Sequence, residues 1–133
     1  MGPFQIYIST SYEDIWKFNV VVMIEVDREG KRIELLKDRI DVAPVGSNLP
    51  EPPVGYKPRN FMFLTDPANV ATIYIYIIPH TLPRTRDLEA VDPFELRVEA
   101  LFDKAPLYAH NFEISPWSGD NIEITLVAPG YER

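Results

Sequence analysis

From Phe94 to Phe102 the chain alternates without a break. Phe94, Leu96, Val98, Ala100 and Phe102 fall on one side, and Glu95, Arg97 and Glu99 on the other. A period of two marks a β-strand with one dry face and one wet face. Asn121–Ala128 repeats the pattern, with Ile122, Ile124 and Leu126 opposed to Glu123 and Thr125. In Leu107–Ile114, Tyr108, Phe112 and Ile114 oppose Asn111 and Glu113. Phe18–Val26 is apolar on both sides until Glu25, as a strand central in its sheet would be. Ala71–Ile78 reads the same way, with Ile73, Ile75 and Ile77 on one face and Tyr74, Tyr76 and Ile78 on the other.

The stretch "DREG" turns the Phe18–Val26 strand into Lys31–Val42, with Gly30 free to take positive φ. The charge density of that returning strand (Lys31, Arg32, Lys37, Asp38, Arg39) suits a protected edge or a bulged strand. Phe4–Ser9 and Asn60–Thr65 complete a set of about eight strands, and helix is confined to single turns at "SYEDIW" and "DLEAV". The pattern predicts an all-β, antiparallel two-layer β-sandwich over residues 1–133, a single domain, with a closed barrel as the alternative. The expected core includes Val22, Leu96, Val98, Phe112, Ile122 and Ile124. At the level of fold the layout resembles Ig-like and C2-like sandwiches, which implies no particular activity.

Composition narrows the function. The 133 residues are 46% hydrophobic and 25% charged, ordinary for a globular domain with a core of its own. A net charge of −7 opposes nucleic-acid binding, which needs a basic face to displace counterions. With no cysteine, thiol catalysis, thiolate metal sites and disulfides are excluded. No apolar run approaches the roughly 20 residues of a membrane helix, and the N-terminus lacks the basic and apolar regions of a signal peptide.

In an antiparallel sandwich successive connections alternate between the two ends. Asp27–Gly30, Asp66–Val70 and Asp103–Pro106, all short, belong at one end. Thr10–Lys17, Ala43–Arg59, Pro79–Pro93 and Ser115–Asp120, long or unusual, belong at the other, where a rigid scaffold presents loops for binding. The proline-rich segment 43–59 is expected to run as an extended strap over the surface, with Val45, Leu49, Val54 and Tyr56 as apolar anchors.

The loop-rich end collects aromatic and charged candidates for ligand binding: Tyr12, Trp16, Tyr56, His80, Arg84, Arg86 and Trp117. Aromatic rings beside polar loops suit protein contacts or stacking on sugars, and buried tryptophans capping the core are the competing expectation. His80 leaves a strand after Pro79 and is expected at the surface, whereas strand parity puts His110 in the core. Asp87, Glu89 and Asp92, with Glu13, Asp14 or Asp120, have the chemistry for Ca²⁺, but no calcium-loop spacing accompanies them. Arg84 and Arg86 are placed to neutralise Asp87 and Glu89, so no metal or cofactor is expected. There is no G-x-S-x-G elbow and no H-E-x-x-H, and "SPWSGD" reads as turn chemistry.

These features lead to a non-enzymatic interaction module that binds a protein or a surface ligand through loops clustered at one end. A calcium-dependent, C2-like lipid or protein binder and a carbohydrate-binding module are the alternatives. Self-association through a sheet face or edge is a further expected mode of contact.

Overall fold

The computed structural model describes residues 2–81, 93–115 and 121–131. Its strands are β1 (Phe4–Ser9), β2 (Phe18–Arg28), β3 (Lys31–Ile40), β4 (Phe61–Leu64), β5 (Val70–Pro79), β6 (Phe94–Phe102), β7 (Ala105–Ile114) and β8 (Asn121–Val127). One short 3-10 turn, Glu13–Lys17, precedes β2. The strands form two four-stranded sheets, β4-β1-β6-β7 and β3-β2-β5-β8, and every pairing is antiparallel. The fold is a two-layer β-sandwich.

The alternating sequences put their apolar sets between the layers. Ile6, Ile8 and Val98 from one sheet meet Val22, Ile24, Ile73 and Ile75 from the other, all essentially inaccessible to solvent. β2 and β5 are the central strands of their sheet, as their two-sided apolar character predicts. The outer face of β5 is only partly covered: Tyr74 and Tyr76 are half-buried and Ile78 is exposed. Phe112 packs against the core but is half-buried, because β7 is an edge strand. His110 lies beside Val98 yet is exposed, correcting the expectation of a core histidine. At the sheet margin, sharing a face with buried residues does not ensure a facing layer.

Both hairpins turn in two residues. Glu29 and Gly30 have φ of 51° and 80°, and Asp103 and Lys104 have 48° and 68°. Paired positive φ values match the right-handed twist of the flanking strands. At this end the short turns hold one another: the Arg28 guanidinium donates to the Pro67 carbonyl, and the Glu29 amide to Asn69 Oδ1 at 2.8 Å.

The edge strand β3 has an inner face of mixed character. Its Glu34, Leu36, Asp38 and Ile40 pair across from Val26, Ile24, Val22 and Val20, which face the core. Leu36 and Ile40 pack against the core. The two acids instead reach the other sheet's margin. Glu34 accepts the Asp66 amide at 3.0 Å, and Asp38 receives Arg59, just before β4. The long side of the sandwich between β3 and β4 is thus closed by charged side chains.

Val98 is fully buried in the middle of β6. Val98→Ala is expected to lower stability by about 1–3 kcal/mol, through lost burial and a residual cavity. A urea denaturation curve measures it, and a cost near zero would contradict the packing.

Candidate functional site

The connection from β3 to β4, residues 41–60, crosses from one sheet to the other at the loop-rich end. Its expected extended course is broken by two turns of related sequence, "PVGS" and "PVGY". In the second, the Tyr56 amide donates to the Pro53 carbonyl at 3.0 Å, and Gly55 has φ of 83°. A glycine in that third position is what a type II turn demands. Val45 and Val54 ride on the turns, 71% and 106% exposed, so they are not the anchors expected of them. Leu49 and Tyr56 are half-buried.

Side chains of the framework pin this strap to the sandwich. Buried Asn19 in β2 accepts the Val42 amide and donates to the Ala43 carbonyl, both at 2.7 Å. Farther along, the Asn48 amide donates to the His80 carbonyl and the Leu49 amide to Thr81 Oγ1. Arg59 then fastens the far end. Its two nitrogens meet both Asp38 oxygens at 2.9 and 3.0 Å, a third bond reaches the Arg39 carbonyl, and the guanidinium lies 5.2 Å over the Phe61 ring.

The strap, the 3-10 turn and the ends of β1 and β2 enclose a pocket of about 440 Å³. Its walls are largely apolar: Ile8, Ile15, Phe18, Ile40, Phe61 and Leu96 contribute to them. Tyr12, Trp16 and Tyr56, three of the residues marked in the sequence, line it as well. Tyr12 stacks flat on Phe94, ring centres 4.4 Å apart, and Trp16 is almost fully buried. Burial raises the phenol pKa of both tyrosines, with the nearby Asp14 charge adding to the effect at Tyr12. Both phenols are therefore neutral at physiological pH.

His80 is 1% exposed, correcting its expected place at the surface. It stands behind the site. Its Nε2 lies 2.6 Å from the Trp16 carbonyl and its Nδ1 2.7 Å from Thr81 Oγ1. A carbonyl only accepts, so Nε2 carries a proton, and Nδ1 shares a hydrogen bond with the Thr81 hydroxyl. The Leu49 amide completes the chain by donating to that hydroxyl. His80 thus holds the 3-10 turn and the strap in one network.

Arg84, Arg86 and Trp117, with Asp87, Glu89, Asp92 and Asp120, lie outside the described residues. Among the described residues, no group of three or more His, Asp or Glu side chains converges as metal ligands would. No helix among them is long and apolar enough to cross a membrane. Arg59 and Asp38 escaped sequence reading because they lie far apart in the chain. The only hint was a lone arginine before a strand and an acid on an inward parity.

No protein-family model matches the chain, and no curated protein matches it in sequence. Its architecture is similar to a crystal structure of a domain of unknown function, DUF4425, from Bacteroides vulgatus. The TM-score is 0.51 at 13% identity, over 96% of this chain and 93% of that one. A DUF4425 family protein from Bacteroides ovatus aligns over 98% of both chains, with TM-score 0.47 and 11% identity. The likeness to the Bacteroides vulgatus domain, at this identity, speaks for the β-sandwich fold alone.

The Arg59 clasp predicts a pH dependence. Hydrogen bonds from Arg59 are the main reason the Asp38 carboxyl titrates below its ordinary range; partial burial opposes them. With the folded pKa below the unfolded one, the stabilisation is complete above the unfolded value near 4 and is lost as pH falls through the lowered value. Both side chains are over a third exposed, so Asp38→Asn should cost less than about 1 kcal/mol at neutral pH. The gap from wild type should close in acid, as read from urea curves across pH.

His80→Phe leaves the Trp16 carbonyl and the Thr81 hydroxyl without their ring partner. The expected loss is about 1–3 kcal/mol by chemical denaturation, the usual penalty for unpaired buried polar groups.

Proposed function

We propose that this chain is a non-enzymatic binding module that takes an apolar group of its ligand, presented by a partner protein or a surface, into the pocket beneath the strap. The observation that carries the reading is the preformed cavity of about 440 Å³ at the loop-rich end. That size falls within the range of small-molecule and side-chain pockets. The strap is tied at its start, middle and end, so little ordering cost accompanies binding. Exposed Val54 on the neighbouring turn adds a first apolar contact outside the cavity.

The lining's chemistry favours holding over turnover. Two of its ionisable groups are tyrosines kept neutral by burial, and Arg59 is committed to Asp38. An apolar chamber with a few hydrogen-bonding groups at its rim recognises shape and polarity.

The neutral dye Nile red tests this. Expected is saturable one-site binding with blue-shifted emission, weakened about tenfold (~1.4 kcal/mol) by Tyr56→Ala. Leu64→Ser, on the exposed face of β4 toward the short-turn end, should leave binding unchanged. Binding indifferent to Tyr56→Ala would overturn the reading.

A further inference from the structure

Which ligands suit the pocket follows from the charges around it. Among the described residues Arg59 is the cation lining it, and its guanidinium is held by both Asp38 oxygens and the Arg39 carbonyl. Three of its five N–H donors are used there and Asp38 offsets its charge, so a carboxylate or sulfonate entering the cavity meets a largely neutralised cation. Asp14 is similarly engaged with Lys17 at 3.5 Å. Glu13 differs. It lines the pocket and is exposed, with no ion pair or hydrogen bond among the described residues.

The aromatic walls point the same way. Aromatic rings are electron-rich on their faces and attract cations. Two rings of this lining already do so within the fold: the Lys17 ammonium sits 5.5 Å from the Trp16 ring centre, and Arg59 lies over Phe61. Tyr12 and Tyr56 add two more electron-rich rings, and the chain's charge of −7 draws cations toward the molecule.

We infer that the pocket selects small organic cations, an ammonium group carried on an apolar body, with Glu13 and the aromatic walls receiving the charge. The inference rests on the pocket's being a binding site and goes further by giving its ligand a charge. The apolar body fills the cavity between Ile8, Phe18 and Leu96, while the ammonium stays at the rim, partly hydrated. A diffuse, weakly hydrated alkylammonium fits such a site better than a compact ion, because its desolvation costs less.

The test compares hexyltrimethylammonium, 1-hexanol and hexanoate, which share one chain and differ in charge, by NMR chemical-shift titration of the intact protein. The expected order is ammonium, then alcohol, then carboxylate, with about tenfold between the first two. Glu13→Gln, an exposed substitution that should not disturb folding, should shrink the preference for the cation and leave 1-hexanol binding unchanged. Tyr56→Ala should weaken both the ammonium and the alcohol, the ammonium more, because the ring supplies contact area to both and its electron-rich face to the cation alone. If the three compounds bind equally, or the alcohol binds tighter than the ammonium, or Glu13→Gln leaves the preference intact, the inference is overturned while the pocket stands. If none binds and Nile red binding also ignores Tyr56→Ala, both fail together.

Discussion

Two sheets with apolar inner faces leave a gap along each long side where water can reach the core. On the side between β3 and β4 this protein closes the gap with charge. The inward acids of β3 take an arginine and a backbone amide from the segments flanking β4. That solution has a geometric consequence. Salt-bridged side chains span a gap without filling it, so space remains behind them, bounded by the aromatic rings of the loop-rich end. The cavity lies beside that clasp, with Arg59, Ile40 and Phe61 in its wall.

Holding such a space open requires a roof that does not collapse into it. Asn19, Thr81 and Arg59 supply the support, each through bonds to the strap's own backbone or from its far end. The floor is set with similar care. The 3-10 turn bearing Trp16 is tied from behind by His80, whose ring is paired on both nitrogens. Framework, roof and floor are thus joined by buried polar groups that have found partners, which specifies one arrangement among the many an apolar loop could take.

The framework was readable because period-two alternation is a local signal. β6 and β8 announce their inner faces residue by residue, and the unbroken apolar run of β2 told of a central place in its sheet. Local signals fail where the outcome depends on what lies opposite. His110 and Phe112 have the parity of core residues, but β7 ends its sheet, and there His110 is exposed and Phe112 half-buried. His80 has the look of a loop residue, and the return of the 3-10 turn and strap around it is what buries it. Tyr12, Trp16 and Tyr56 could be gathered at one end by counting chain reversals. Their enclosure of a common cavity depends on the 21-residue span from Asp38 to Arg59, which no pattern encodes.

The way the strap is moored bears on how such a protein could diversify. Asn19, Thr81 and the His80 carbonyl engage amides and carbonyls of residues 42, 43, 48 and 49, groups that almost any amino acid supplies. These moorings are therefore indifferent to which side chains the strap carries, and only the clasp at its far end depends on one, that of Arg59. Residues 52–58, which include the pocket-lining Pro52, Tyr56 and Pro58, can be exchanged while the path of the chain is kept, provided Gly55 still allows the turn. If the pocket binds as proposed, variation in what is bound is thereby separated from the conditions for folding, and one short segment is enough to retune it.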